Sequence, residues 1–175
     1  MDSEATHCEG QPPYRPSIVK RASNDSAGII QPVLIHRRRR TVFLRHTLED
    51  GSWHIDWMYQ RAGHDEAPLQ SFRSDAAPWE ADTKTPWMAV SAPDHRCAYL
   101  DYEGPVRGGR GSVVKLAGGW VFVHAEAPGA LTVDLDIVTA GGVAWHARLQ
   151  GTLTPSVLPE GSWAFQITAA LPINR

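Results

Sequence analysis

The sequence predicts an all-β protein closed into a compact barrel, with few and short helices. Three observations predict it. Short apolar segments rich in β-branched and aromatic residues recur along the chain. Clusters of turn formers separate them, as at Glu49-Asp50-Gly51, Gly118-Gly119, Ala127-Pro128-Gly129, Gly141-Gly142 and Pro159-Glu160-Gly161. No segment sustains the 3.6-residue apolar period of a helix. Closure of so many short strands into a barrel buries edges that an open sheet would expose.

Residues 1–32 are rich in Ser, Pro, Gly, Asn and Asp and show little periodic apolar content, which predicts a flexible leader. Residues 33–175 form one domain, long enough to bury a sizeable core. Its first strand is expected over 40–46. The second, Trp53-His54-Ile55-Asp56-Trp57-Met58-Tyr59, alternates strictly. Trp53, Ile55, Trp57 and Tyr59 fall on one face, and His54, Asp56 and Met58 on the other. Further strands are expected at 69–73, 87–92, 98–102, 111–116, 120–124, 131–138, 143–153 and 162–167. There is no internal repeat.

The net charge is −2, which excludes a wholly basic nucleic-acid coat and leaves only local contacts. The Arg37-Arg38-Arg39-Arg40 block offers one, and fits a solvated charge run equally well. The two cysteines, Cys8 and Cys97, suit a reducing cytosol better than a structural disulfide. No apolar run approaches the roughly 20 residues of a membrane helix, and the N-terminus lacks a secretory layout. A cytoplasmic protein without a membrane partner is expected.

His46, His54 and Asp56 form the first chemical constellation. His54 and Asp56 point the same way from one strand, and a turn at 49–51 brings His46 alongside. Two imidazoles and a carboxylate leave open positions for water and substrate, as in a catalytic metal site, and suit Mn, Zn or Fe. The bare pattern fits a cleft ion pair as well. Asp134-Leu135-Asp136, His124-Ala125-Glu126 and His146-Ala147-Arg148 are similar pairs, read as solvated outer faces. A denser segment runs from Asp94 to Pro105. In it His95 can serve as a general acid or donate to a phosphate, and Tyr99 can donate to a phosphate oxygen.

Taken in order across about residues 40–168, these segments resemble the 3′-phosphoesterase domain of bacterial ligase D, the non-homologous end-joining ligase, and its stand-alone relatives. The family's strand ending in His is matched by Phe43-Leu44-Arg45-His46, and its His-aromatic-Asp-Phe-Arg by His54-Ile55-Asp56-Trp57-Met58. Leu69-Gln70-Ser71-Phe72 matches its Leu-x-Ser-Trp strand. The most specific match is Asp94-His95-Arg96-Cys97-Ala98-Tyr99-Leu100-Asp101-Tyr102-Glu103-Gly104, followed by the Gly-rich turn and strand 108–114.

The resemblance implies a compact β-barrel that trims 3′ ends of DNA and RNA, removing a 3′-terminal ribonucleotide and then the 3′-phosphate. It implies a divalent metal, manganese by preference with zinc as the alternative, held by His46, His54 and Asp56. His95 and Tyr99 would contact the scissile phosphate, and a separate ligase or polymerase would be the partner in repair. Two family arginines are missing, falling on Met58 and Trp87. Arg73, Arg107 and Arg110 are the candidate replacements, and Arg45 points to the opposite strand face from His46. The missing arginines also fit a degenerate member that binds nucleic-acid ends or a repair partner without catalysis. A third reading makes the seven tryptophans the lining of a ligand cavity in an unrelated all-β binding protein.

Overall fold

The computed structural model describes residues 38–61, 67–154 and 160–169; the expected leader, 1–32, lies outside them. The described strands are β1 (Arg38–Thr47), β2 (Trp53–Tyr59), β3 (Leu69–Ser74), β4 (Trp87–His95), β5 (Gly104–Pro105), β6 (Ser112–Ala127), β7 (Ala130–Thr139), β8 (Ala144–Leu153) and β9 (Ser162–Ala169), with one 3₁₀ helix at Cys97–Leu100. They form one antiparallel sheet in the order β1-β2-β3-β4-β9-β8-β7-β6, and β1 pairs again with β6 to close a ring of eight strands. The all-β class is as expected. The short β5 adds to β6 beside Val113.

Strand alternation sorts the side chains into two clusters. Every strand of the ring contributes to the first, which includes Phe43, Trp57, Phe72, Trp87, Leu135, Leu149 and Phe165, so this cluster fills the interior. Trp57 sits at its centre, with ring centroids 5.1 Å from Phe72 and 5.7 Å from Phe165. Its indole N–H donates to Thr41 Oγ1 at 2.9 Å, and that hydroxyl donates to the Met58 carbonyl at 2.8 Å. A buried tryptophan thus keeps its polar atom satisfied.

The second cluster holds Val42, Leu44, Met58, Leu69, Leu100, Val106 and Val113. Val42 and Leu44 flank Phe43, and Met58 lies between Trp57 and Tyr59, so this cluster is on the outer face of the ring. The 3₁₀ helix and the turn after β5 cover it. The candidate site residues sit at the edge of this outer cluster.

Two expectations are corrected. Residues 98–102 are not a strand. Tyr99 N–H donates to the Arg96 carbonyl and Asp101 N–H to the Ala98 carbonyl, both at 3.1 Å, which gives a 3₁₀ turn. Gly118-Gly119 is not a turn but lies inside the sixteen-residue β6. A Cβ on Gly119 would stand 2.3 Å from the Asp136 carbonyl oxygen, so glycine here permits a close approach of β6 to β7.

Candidate metal and phosphate site

The β1–β2 hairpin builds the metal half. Its turn is fixed by Leu48 N–H donating to the Ser52 carbonyl at 2.8 Å, with Gly51 at φ +83. The resulting register sets His46 opposite His54, their rings 4.9 Å apart. Asp56 follows His54 by one pleat, 2% exposed. His54 Nε2 lies 3.3 Å, and His46 Nδ1 3.9 Å, from Asp56 Oδ2. One ligand atom from each residue falls within 4.8 Å of the others.

Three features make this set fit a cation. His46 Nε2 lies 2.6 Å from the Arg110 carbonyl oxygen, which can only accept, so Nε2 carries a proton and Nδ1 is the ring nitrogen turned to Asp56. His54 Nε2 is buried without a hydrogen-bond partner despite its nearness to Asp56, an arrangement that costs free energy unless another group stands there. Burial pushes the His54 pKa down, against the attraction of Asp56, which favours the neutral ligating form. Two imidazoles and a carboxylate suit Mn, Zn or Fe, and a metal identity does not follow from them.

The phosphate half comes from the other side. Asp56, His95, Tyr99, Arg73, Arg107 and Arg110 all line one cavity of about 500 Å³, together with His46. Every expected site residue except His54 lines it, and His54 is joined to it through Asp56, 3.3 Å away. His95 Nδ1 lies 3.0 Å from Ser71 Oγ, and that hydroxyl donates to the Leu69 carbonyl at 3.3 Å. With its proton on the Leu69 carbonyl, Ser71 Oγ can accept from His95 Nδ1–H, so this contact fixes the ring through Nδ1 and leaves Nε2 outside it. Ser71 is fully buried, and the sequence reading assigned it no role.

The arginines differ among themselves. Arg73 stands opposite Asp56 in the β2–β3 register, and its Nε donates to Asp56 Oδ1 at 3.1 Å. Arg45 lies over the Trp53 ring, 4.6 Å from its centroid, on the face away from His46. Arg96 lines the cavity and was missed by sequence reasoning, although it directly follows His95. Met58 also borders the cavity but is 1% exposed and packed in the outer cluster. Trp87 is 2% exposed in the interior core.

The last part of the most specific string, Asp101-Tyr102-Glu103, is bracing, while His95 and Tyr99 earlier in it line the cavity. Asp101 receives two hydrogen bonds from the Arg40 guanidinium, the Tyr102 hydroxyl donates to the Pro105 carbonyl, and Glu103 Oε1 accepts from Lys115 N–H at 2.6 Å. The described part of the arginine block, Arg38-Arg39-Arg40, is consumed the same way; Arg37 lies outside the described residues. Arg38 stacks on Trp120 at 3.8 Å, Arg39 pairs with Glu126 at 3.6 Å, and Arg40 holds Asp101.

The similar pairs elsewhere are not merely solvated. His124 and Arg148 both bond Asp134, and His146 Nδ1 lies 3.1 Å from Asp136. Among the described residues they form no metal-binding group. Cys97 is disulfide-bonded, which corrects the expectation of reduced cysteines. Among the described residues no helix is long and apolar enough to cross a membrane. Neither models of known protein families nor curated proteins match the chain.

Proposed function

We propose that this chain is a divergent stand-alone relative of the ligase D 3′-phosphoesterase, acting on DNA or RNA 3′ ends in the presence of a divalent metal. The observation that carries the reading is the meeting of His46, Asp56, His95 and Tyr99 at one cavity, from segments far apart in sequence.

A divalent ion at His46, His54 and Asp56, manganese in this reading and zinc as the alternative, would neutralise phosphate charge and lower the pKa of a bound water. The chain's own groups do the rest. Tyr99 donates its hydroxyl to a non-bridging phosphate oxygen. His95, held through Nδ1 by Ser71, delivers a proton from Nε2 to the leaving oxygen. Arg73 orients Asp56 through its hydrogen bond to Oδ1. The product is a 3′-hydroxyl end, the form a separate ligase or polymerase requires. The place of work is the cytoplasm, at the nucleoid, where the Cys97 disulfide would be open to reduction.

Manganese-loaded protein should release phosphate from a 3′-phosphate-ended primer-template. The His54→Ala/Asp56→Ala variant should not. Equal release by the two proteins would sink the reading. A second reading is favoured by Met58, whose buried thioether stands where the family carries an arginine. It makes the chain an end-binding protein without turnover, and the same assay would then give binding of the primer-template with no phosphate released.

A further inference from the structure

We infer that Arg96, Arg107 and Arg110 form the anion grip of this cavity. They would hold phosphate from the side of the 3₁₀ helix and the turn after β5, in place of a β2 arginine where Met58 stands. The inference rests on the phosphate-end reading above, and it sets Arg73 apart from the other arginines.

Charge bookkeeping around the cavity carries it. Arg73 is committed to Asp56 at 3.1 Å. Asp94, also on the cavity wall, is committed to Arg61, whose Nη2 lies 2.7 and 2.8 Å from its two oxygens. Arg40 and Arg148 are likewise committed, to Asp101 and Asp134. Among the described residues no carboxylate lies within ion-pair distance of Arg96, Arg107 or Arg110, and all three line the cavity. Three uncompensated guanidinium groups converging on one concavity create a positive potential that selects an anion.

Their placement is built. Arg96 sits directly before the 3₁₀ helix, in extended backbone at φ −69 and ψ 145, with its guanidinium 5.8 Å above the Tyr99 ring. Arg107 and Arg110 lie in a turn closed by Val106 N–H donating to the Gly111 carbonyl at 2.8 Å. Arg110 Nε donates to the Arg107 carbonyl at 2.9 Å, which fixes the guanidinium and leaves its two terminal nitrogens without a hydrogen-bond partner among the described residues. Guanidinium groups suit phosphate through paired, planar donors, as the buried Met58 thioether does not.

The test measures binding apart from turnover. EDTA-treated full-length protein is titrated into short fluorescent oligonucleotides ending in 3′-phosphate or 3′-hydroxyl, over a range of salt. The wild type should prefer the phosphate-ended probe. The Arg96→Ala/Arg107→Ala/Arg110→Ala variant should lose that preference, and its log–log salt slope should become shallower by roughly 2, at about 0.7 per cation removed on a single strand. Arg148→Ala, on the outer face of β8, should bind as wild type. Manganese binding by calorimetry, retained within about twofold, would show that the triple variant is folded. A triple variant that keeps both the preference and the slope overturns the inference, as does a wild type without preference. A wild type that grips the phosphate end but never hydrolyses it leaves the grip standing and removes the phosphoesterase reading alone.

Discussion

At the scale of single residues, the point on which both halves of the site turn is Gly111. It sits at φ +84, and a Cβ there would stand 1.9 Å from the Thr47 carbonyl oxygen. Gly111→Ala should therefore push the 106–111 turn off β1, at a cost of about 1–3 kcal/mol from the backbone conformation alone and more from the contact. The neighbouring Arg110 carbonyl would then leave His46 Nε2. Manganese affinity should fall about 10–100-fold by calorimetry, the usual effect of losing a group that orients a ligand. Gly108→Ala is the matched control, since φ is +82 but nothing lies within 4 Å of its added Cβ. It should lower the melting temperature less and leave manganese binding intact. Equal manganese affinity in a folded Gly111→Ala protein would show that the carbonyl does not orient His46. This contact was illegible in the sequence, because its acceptor is a backbone oxygen 64 positions away. The His54/Asp56/Met58 face was legible, because strand alternation depends on nothing beyond the strand itself.

At the scale of elements, the β1–β2 hairpin was readable, including the facing of His46 and His54, since a tight turn fixes register. The segment from Cys97 to Pro105 was not. Asp101 and Glu103 face partners in β1 and β6, which lie far from them in sequence. Arg40 and Asp101 are the clasp to β1. The hydrogen bonds from Arg40 hold the Asp101 carboxyl below the usual carboxylate range, more than its partial burial raises it. Because the folded value is depressed, the clasp stabilises fully above the unfolded-state value of about 3.9 and is lost as pH falls through the lower folded value. Asp101→Asn should cost under about 1 kcal/mol at neutral pH, as expected of an exposed pair, and the difference from wild type should vanish with acidification over that window. Melting curves as a function of pH check it. Amide exchange in the 3₁₀ helix should also quicken in the variant, because the clasp ties that segment to the ring. A melting difference that persists unchanged at the lowest pH would assign Asp101 a role other than ion pairing.

At the scale of the whole molecule, five of the seven tryptophans find their explanation in packing. Trp57 and Trp87 lie in the filled interior, with Trp79, Trp145 and Trp163 against it, so they do not line a binding cavity as the third sequence reading required. The candidate site lies instead on the outer face, where Met58 and its neighbours make a small second core beneath it. The eight-strand count was partly legible, but the closing pair was not, because reading Gly118-Gly119 as a turn cut β6 in two. That strand holds β1 along its length, from Arg38 facing Phe122 to Thr47 facing Ser112, with one irregularity at Phe43/Leu44. Closure makes a specific demand on hydrogen exchange. Successive N–H groups of a strand point to opposite neighbours, so in β1 they alternate between β2 and β6. In a closed ring the amides of 41–46 should exchange slowly and alike, apart from the irregular pair. If the sheet opened between β1 and β6 in solution, every second amide would exchange rapidly while those bonded to β2 stayed protected. The site would open with it, since His46 lies on β1 and its carbonyl partner, Arg110, lies just before β6. Residue-resolved exchange by NMR therefore tests the fold and the integrity of the metal half together.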